Sequence, residues 1–456
     1  MRGNERGAKS ALRDRLLPET IRHAEAIPFY AEHWGRSASG EIATTDALAR
    51  LPVVGRDELA EHGDRMVHPG RTPSVMLHST GTTTGQPVRR FRCAEELAAL
   101  DSFRHRLSAK ARARRGESNP IVHFTTLSAR HHGAVLGART GAQRAVSLSL
   151  LTAREVERSV ALLARDRLFP DLPEHFCEYE LSGSPQDLTL LATVLSEPGN
   201  EAARRRIRRI VAVADFLSRA QQDLLTRTVP ESRRVVHRYS LSEVAGGATR
   251  CERCSLFHFD AIVVPEVVPL DGGDPVREGV GRLVLTELYP FSQAQPLIRY
   301  DTGDLVEAVR SDCDAGELSV ALLGRTALVP TVRARGGRVP VFRPYALRET
   351  AERLPDLCHA PVSSLAPWQS TAGTIPLVAC EFRPAAGRAP HRLTVRAAVG
   401  FPPRLLPEAA AGVLEQLRAA VLASSPELMH LVTECACELR IEITGDSSAV
   451  PPLATR

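Results

Sequence analysis

One short stretch of the chain is built from the residue types that bind phosphate. It reads Ser79-Thr80-Gly81-Thr82-Thr83-Thr84-Gly85 and is followed by Gln86 and Pro87. Glycines let backbone N–H groups approach an anion closely, and the hydroxyls add further donors. The stretch is not the common P-loop, because three residues separate its glycines and it has no lysine. A phosphate-binding loop and a plain polar turn are both compatible with it.

Two further segments carry carboxylates in settings that suit a nucleotide. Tyr239-Ser240-Leu241-Ser242-Glu243 follows an apolar and basic run, and a Glu just after a strand can hold Mg²⁺, which prefers carboxylate and phosphate oxygens. Tyr300-Asp301-Thr302-Gly303-Asp304 contains a Thr-Gly-Asp turn that can aim a carboxylate at a sugar diol. Each segment taken alone is also compatible with an ordinary turn.

A third constellation has the spacing of metal ligands. Cys251, Cys254 and His258 form a Cys-x2-Cys-x3-His pattern, and two thiolates with an imidazole suit a tetrahedral zinc site. The alternative is a loop that carries reduced cysteines. A closed set of four ligands would be structural, whereas a missing fourth ligand would leave a position for water and allow a catalytic role.

Composition places the chain among ordinary globular proteins of more than one domain. Of its 456 residues, 43% are hydrophobic and 24% are charged, so a sizeable core can form. A net charge of +5 is too mild, and the basic residues are too scattered, to imply a nucleic-acid partner. The basic cluster at 104–115 is better explained as a solvated helix face, since few aromatic residues interleave with it.

The numbers of cysteines and lysines bear on the cellular compartment and on which residues can act in catalysis. The nine cysteines are scattered, which does not suggest a disulfide scaffold, and the charged N-terminus lacks a signal-peptide pattern. No apolar run is long enough for a membrane span, so we expect a cytoplasmic protein without a membrane partner. Lys9 and Lys110 are the only lysines among 58 Lys and Arg residues, so any lysine-dependent step must use one of them.

The elements that must position these residues alternate between strands and helices before residue 215 and become β-rich from 257 to 300. This order predicts an α/β fold with a large N-terminal domain of mixed and parallel sheets covered by helices, plus a small α+β C-terminal domain. We place the boundary after Arg325, giving domains at 1–325 and 326–456, the second one mobile. The last residues, from Gly445, are expected to be flexible. In the alternating region and just after it, the expected strands are 121–124, 145–148 and 209–213, and the expected helices are 153–165, 186–196 and 218–227. In the C-terminal domain we expect strands at 339–342, 375–382, 392–399 and 437–443 and helices at 345–353 and 407–423.

The order of these pieces resembles the adenylate-forming superfamily, which includes acyl-CoA synthetases, adenylation domains and luciferases. A Ser/Thr/Gly loop is followed by Tyr-x-x-Ser-Glu, by Arg-Tyr-x-Thr-Gly-Asp and by Leu-Gly-Arg. Within the superfamily the chain looks most like phenylacetate–CoA ligases. The segments that resemble this branch are Ile27-Pro28-Phe29-Tyr30, Leu51-Pro52-Val53-Val54 with Asp57-Glu58-Leu59, and Pro296–Leu305. The resemblance runs from about residue 10 to about residue 345.

The resemblance implies a role for each matching residue. The loop would hold the β- and γ-phosphates of ATP, Tyr239 would stack on adenine, and Asp304 would bind the ribose hydroxyls. Glu243 would bind Mg²⁺, with Ser242 at the phosphates and Arg325 at the ribose. The implied ATP-binding residues are Ser79, Thr80, Gly81, Thr82, Thr83, Thr84, Gly85, Asp215, Tyr239, Ser242, Asp304 and Arg325; those implied in catalysis are Glu243, Arg325 and Ser242. His131 and His132 fall in the region of the acyl pocket, although a surface histidine pair explains them as well.

The activity implied is that of an AMP-forming ligase. Such an enzyme joins a carboxylate to the α-phosphate of ATP and releases pyrophosphate, and many members then pass the acyl group to CoA or another thiol. We expect a small, aromatic acid as substrate and a role in specialised metabolism. The sequence does not decide whether the protein is a homodimer. One alternative is a diazotase-like enzyme that activates nitrite for reaction with an aryl amine. Another is a degenerate homologue that binds nucleotide without turnover.

Three departures from the family pattern stand out. The segment near adenine, usually Gly-Gly-Glu-Pro, is Val213-Ala214-Asp215-Phe216, and the acidic pair after the Gly-Arg hinge is replaced by Thr326-Ala327-Leu328. The catalytic lysine of the family, near the C-terminus, has no counterpart in 449–456. Arginine differs from lysine in shape and is not a simple substitute for it. We therefore expect the needed positive charge to come from Mg²⁺ at Glu243 and an arginine such as Arg325.

The resemblance also extends the metal pattern. Some phenylacetate–CoA ligase relatives bind zinc through a Cys and a His at the places of Cys251 and His258, with further cysteines just past the Thr-Gly-Asp motif. Cys313 lies in that region. We therefore predict a structural zinc held by Cys251, Cys254, His258 and Cys313.

Overall fold

A computed structural model gives the fold. It describes residues 5–35, 42, 44–79, 88–114, 121–127, 144–174, 176, 178–229, 234–313, 317–334, 337–361, 374–386 and 389–453. The predicted phosphate loop from Thr80 onward lies outside the described residues, and so do His131 and His132.

The helices of the described chain occur in three groups. Four precede residue 115, four lie between 153 and 228, and three follow residue 343. They are α1 (Glu5–Glu25), α2 (Pro28–His33), α3 (Arg56–His62), α4 (Ala94–Arg114), α5 (Ala153–Leu163), α6 (Pro185–Leu195), α7 (Glu201–Arg206), α8 (Arg219–Thr228), α9 (Pro344–Ala351), α10 (Pro407–Ser424) and α11 (Pro426–Thr433). None of these helices combines the length and the apolar character that a bilayer crossing requires.

The strands form one large sheet and several small ones. They are β1 (Pro73–Ser79), β2 (Val88–Cys93), β3 (Val122–Leu127), β4 (Arg144–Ser149), β5 (Tyr179–Gly183), β6 (Ile207–Val213), β7 (Arg234–Ser240), β8 (Gly247–Arg250), β9 (Phe257–Phe259), β10 (Val263–Pro269), β11 (Gly279–Glu287), β12 (Tyr300–Ala308), β13 (Ser319–Arg325), β14 (Thr331–Ala334), β15 (Gly337–Pro340), β16 (His359–Pro361), β17 (Thr374–Pro376), β18 (Val378–Arg383), β19 (His391–Ala398) and β20 (Cys437–Thr444).

The large sheet is mixed, as the sequence predicts. Among the described residues its strand order is β10-β11-β12-β13-β9-β8-β7-β6-β5-β3-β4. At one end of this order, the five strands β4, β3, β5, β6 and β7 pair in parallel. All other pairs in the sheet, from β7–β8 to β11–β10, are antiparallel. The parallel half arises from the alternation of strands with capped helices. Ser184 and Ser218, for example, each accept the backbone N–H three residues on, which starts α6 and α8.

Separate apolar cores lie under these layers. One joins α1–α3 to the antiparallel half of the sheet, and a second lies between the parallel strands and helices α5–α8. A third is built from residues between Val332 and Leu453 around the β18-β19-β20 sheet. The third core is consistent with the predicted small C-terminal domain, although the boundary after Arg325 stays a prediction.

The end of the chain departs from the sequence-based expectation of a flexible tail. Val450 is 2% exposed and packs with Leu377 and Ala398, and Leu453 is 4% exposed within the third core. The N–H of Leu453 also donates to the carbonyl of Pro376 at 2.9 Å. The expectation failed because isolated apolar residues among prolines and small residues look like a frayed end until their partners are known.

Removing residues 446–456 is expected to destabilise the protein by about 3 kcal/mol or more, because it takes away two buried aliphatic side chains. Denaturant unfolding of the C-terminal region measures the loss. A chain that ends at Leu453 is the control, since it keeps both buried residues. Equal stability of the two truncated proteins would contradict the packing described here.

Candidate active site

Three predicted nucleotide-binding residues of the large sheet meet at one carboxylate, that of Asp304. Tyr239, at the end of β7, donates its hydroxyl to Asp304 Oδ2 at 2.6 Å. Arg325, opposite Asp304 across the β12–β13 pair, donates to Asp304 Oδ1 at 2.7 Å and to the carbonyl of Thr302 at 3.0 Å. Burial, together with the charge of Asp304, raises the pKa of Tyr239 well above its usual value. The Asp304 carboxylate is therefore held in one orientation by a neutral phenol and a cation.

The backbone around Asp304 explains the Thr-Gly-Asp sequence. Gly303 adopts a φ of +70°, a conformation that glycine tolerates best. Thr302 donates its hydroxyl to the carbonyl of Leu283 at 2.9 Å and accepts the N–H of Asp304 at 3.2 Å. The Thr-Gly-Asp segment, expected to be a turn, thus lies within β12, and these bonds hold the backbone that carries the carboxylate.

Glu243 lies close by, on the segment that leaves β7. Its carboxylate is buried, accepts the Ser242 hydroxyl at 3.1 Å and forms an ion pair with Arg56 at the start of α3. Tyr300 connects this group with the first one: burial and the charge of Glu243 raise the pKa of its phenol, while Arg56 and Arg325 act to lower it. The two groups of predicted ATP-binding residues therefore share one region of the sheet.

A buried arginine pair that sequence reasoning missed holds the Glu243 segment in place. Arg90 donates Nε to the Glu243 carbonyl at 2.7 Å and Nη2 to Glu287 Oε2 at 2.8 Å. Arg92 donates to the same carbonyl at 3.2 Å and to Glu287 Oε1 at 3.0 Å. Burial acts to raise the pKa of Glu287, but Arg92 and Arg90 bring it below its usual value. Because both arginines lie on β2, the network ties the strand after the predicted phosphate loop to Glu243.

The sequence contains a weak signal for this network. Period-2 alternation in β2 puts Arg90 and Arg92 on the same face as the buried Val88. Charged residues at inward positions of a strand are uncommon unless they are paired. The partner Glu287 lies almost 200 residues further along the chain, and no local pattern links it to β2.

The segment expected near adenine has an unusual backbone. Ala214 has a φ of +70°, where the family usually has glycine, and the Asp215 carbonyl contacts His237 Nε2 at 3.0 Å. Burial lowers the pKa of His237 to about 4, so the imidazole is neutral near pH 7. Phe216 stacks on Tyr345 of α9 with ring centroids 4.3 Å apart. The C-terminal region therefore contacts the large sheet beside the predicted nucleotide site.

The predicted metal ligands come together at a separate place. Cys251, Cys254, His258 and Cys313 present ligand atoms that all lie within 4.8 Å of one another. Burial lowers the pKa of His258 to about 4, which keeps the imidazole neutral, the form that binds a metal. Its Nδ1 lies 3.4 Å from the hydroxyl of Ser319 on the paired strand β13, which orients the ring. Three thiols and an imidazole are the ligand set of a closed tetrahedral zinc site.

Comparison with known proteins gives one sequence relative and a group of similar folds. No protein-family model matches the chain. A phenylacetate–coenzyme A ligase of Thermus thermophilus is 28% identical over 338 residues, which cover 69% of this chain and 70% of the relative. The chain is therefore phenylacetate–CoA ligase-like in sequence, and this similarity supports the predicted adenylate-forming superfamily. The same similarity supports the predicted AMP-forming ligase.

Solved structures agree on the fold. A 2-hydroxyisobutyryl-CoA ligase in the postadenylation state, in complex with R3-HIB-AMP, gives a TM-score of 0.62 at 16% identity, covering 99% of this chain and 89% of that one. The same ligase in the thioesterification state, with 2-HIB-AMP and CoA, gives a TM-score of 0.54 at 17% identity, covering 95% and 87%. At these identities the likeness establishes the fold, which is the predicted α/β arrangement.

The lysines of the chain do not match the family pattern. Lys9 donates its ammonium group to the carbonyl of Phe259 at 3.0 Å, beside the Cys/His cluster and not at the Asp304 group. The side chain of Lys110 lies outside the described residues, as do those of the phosphate loop. Among the described side chains, the cations that reach Asp304 and Glu243 are arginines.

Proposed function

We propose that this ligase uses ATP and Mg²⁺ to convert a small carboxylic acid into an acyl adenylate with release of pyrophosphate. The observation that carries the proposal is the convergence of Tyr239, Asp304 and Arg325 with Ser242 and Glu243 on one region of the sheet. The sequence relative is a coenzyme A ligase, which supports onward transfer of the acyl group to CoA.

The roles proposed for the nucleotide follow from the chemistry of each side chain. Asp304 can accept two ribose hydroxyls because its carboxylate is already fixed by Arg325 and Tyr239. We assign adenine stacking to the ring of Tyr239, whose strand β7 pairs with β6, the strand that leads to Asp215. A carboxylate becomes a good electrophile only when its oxygen leaves as AMP, and its attack on phosphate brings anions together. Fixed cations near the phosphates therefore lower the barrier.

Magnesium fits Glu243 and its surroundings. The Glu243 carboxylate and the neighbouring Ser242 hydroxyl are oxygen ligands, which Mg²⁺ prefers together with substrate phosphates. A bound ion there would neutralise phosphate charge. The carbonyl of Glu243 is already fixed by Arg90 and Arg92, so the carboxylate is presented on a rigid backbone.

The class of the acid and the kind of metabolism are proposed from the family resemblance. We propose an aromatic acid and specialised metabolism on the family resemblance, with His131 and His132 as candidate contacts in the acyl pocket. Pyrophosphate release measured with a panel of aryl and alkyl acids tests this, with nitrite plus an aryl amine as a separate arm. Release with aryl acids supports the proposal, release only with nitrite and amine favours a diazotase-like enzyme, and no release with any of them overturns both.

We also propose that residues 326–456 form a mobile domain whose position changes between two half-reactions. Contacts beside the nucleotide site hold it in the present position. Arg343 bridges Glu307 of β12, at 2.7 Å, and Glu427 of α11, and Phe216 stacks on Tyr345. Gly324 also packs closely against Pro344 at the start of α9, since a Cβ at position 324 would lie 3.0 Å from Pro344 Cγ.

Replacing Asp304 by alanine is expected to weaken ATP binding by about 1.5–3 kcal/mol, since it removes hydrogen bonds to a charged acceptor. Calorimetric titration with ATP measures the change. Tyr239→Phe is the matched control: it removes the hydroxyl that contacts Asp304 but keeps the ring, so the loss should be much smaller. An unaltered dissociation constant in Asp304→Ala would contradict the ribose assignment.

The Cys/His cluster is proposed as a structural zinc site. Purified protein should contain about one zinc per chain, because three thiolates and an imidazole bind the ion tightly. Cys251→Ser should lower both the metal content and the melting temperature. Cys380→Ser, a cysteine outside the cluster, is the control for metal content. Elemental analysis that finds no zinc in protein prepared without chelator would end the proposal.

A further inference from the structure

A cation other than lysine lies against the carboxylate proposed to bind Mg²⁺. Arg56 is the first residue of α3, and its guanidinium forms an ion pair with Glu243 in which the two side chains are 17% and 8% exposed. Water screens such a pair only partly, so the interaction is stronger than that of a surface ion pair. Sequence reasoning missed this residue because Arg56 and Glu243 are far apart in the chain.

The chain before Arg56 is fixed to the strand that carries Asp304. The N–H of Val54 donates to the Arg299 carbonyl at 2.9 Å, and the N–H of Asp301 donates to the Val54 carbonyl at 2.8 Å. One residue further on, the N–H of Gly55 donates to Glu58 Oε2 at 3.0 Å, which starts the helix. The base of the Arg56 side chain is thereby held against β12.

The other arginines that reach this region have fixed structural partners. Arg90 and Arg92 are buried against Glu287 and the Glu243 carbonyl, and Arg325 binds Asp304 and the Thr302 carbonyl. Arg56 instead pairs with the carboxylate that Mg²⁺ would occupy. A divalent cation at Glu243 would repel the guanidinium and direct it to another anion nearby.

We propose that Arg56 is a catalytic residue that binds the polyphosphate of ATP and supplies part of the positive charge that the reaction needs there. The inference rests on the proposed function. An oxygen of the acid attacks the α-phosphorus, the bond from that phosphorus to the α–β bridging oxygen breaks, and its electron pair leaves with pyrophosphate. The planar, always charged guanidinium of Arg56 stabilises the negative charge that develops on this leaving group. In the nucleotide-free protein the same group neutralises Glu243.

The test uses Arg56→Gln in the full-length protein and two readouts. Acid-dependent kcat for pyrophosphate release should fall about 10- to 100-fold, the effect of losing one charge-assisted contact to the transition state. Mn²⁺ binding without nucleotide, followed by electron paramagnetic resonance, should become about tenfold tighter, because a competing cation has left Glu243. A residue that merely supported the fold would weaken metal binding. The matched control is Arg65→Gln, which removes an exposed ion pair with Glu32 and should change neither readout.

Unchanged or weaker Mn²⁺ binding in folded Arg56→Gln would overturn the proposal, as would an unchanged kcat. If that variant does not fold, Arg56→Lys decides: it keeps the charge but loses the planar fork, so kcat should fall while Mn²⁺ affinity stays near that of the wild type. In that case, an unchanged kcat in Arg56→Lys would overturn the proposal. Wild-type protein without acid-dependent pyrophosphate release would overturn the proposed function, and the Mn²⁺ readout would still decide whether Arg56 competes for Glu243.

Discussion

Replacing Glu243 by alanine is expected to lower Mg²⁺-dependent pyrophosphate release about 100- to 1,000-fold, with the fold retained. The side chain faces the predicted site and not an apolar core, and its partners there are Ser242 and Arg56. The variant would lose the carboxylate that holds the ion and keep the Glu243 carbonyl that Arg90 and Arg92 bind. Losing one preorganised electrostatic group in an enclosed site typically costs a factor of this size.

Pyrophosphate release over a range of Mg²⁺ concentrations measures this effect. Glu61→Ala is the control, because that side chain is 77% exposed in a pair with His62 and should leave the rate unchanged. A folded Glu243→Ala protein that releases pyrophosphate at the wild-type rate would show that the ion binds elsewhere.

Replacing Glu287 by alanine is expected to cost about 3–5 kcal/mol of unfolding free energy. The reason is that Arg90 and Arg92 would stay buried without their shared counter-charge, since their side chains are 0% and 4% exposed. The variant also loses the acceptors for the backbone N–H groups of Ala245 and Leu297. Because this network holds the Glu243 carbonyl, pyrophosphate release should fall along with stability.

Chemical denaturation monitored by circular dichroism measures the change. Glu32→Ala is the matched control: it breaks the exposed pair with Arg65, which is worth at most about 1 kcal/mol. A loss in Glu287→Ala no larger than in Glu32→Ala would contradict the claim that the buried network stabilises the site.

Much of the fold follows from local patterns in the sequence. Strands β3, β4 and β6 of the parallel half and helices α5, α6 and α8 were predicted to within a few residues, because apolar periodicity and capping residues such as Ser184 act over one or two turns. Strand β5 was missed. The three strands of the β18-β19-β20 sheet and helix α10 were predicted for the same reason. Short elements such as α7 and α11 were missed, since six or eight residues carry too little periodicity.

The candidate site was predictable where its residues lie in compact motifs. Tyr239, Glu243 and Asp304 were found from the order of their segments, and the structure brings them to one region. Arg56 and Arg90 were not found, because their role depends on partners more than 150 residues away that only the folded sheet brings near. The buried tail was missed for a related reason: Val450 packs on Leu377 and Ala398, which lie far back in the chain.

The central claim is that an acid attacks the α-phosphate of ATP in this site. The most direct measurement uses an acid labelled with ¹⁸O in its carboxylate, MgATP and an acceptor thiol such as CoA, with the AMP product analysed by mass spectrometry. The account predicts that one labelled oxygen moves from the acid to AMP, because the bond between the acyl carbon and that oxygen breaks when the acyl group leaves. Acid-dependent turnover that forms AMP without label, or that forms ADP, would contradict it.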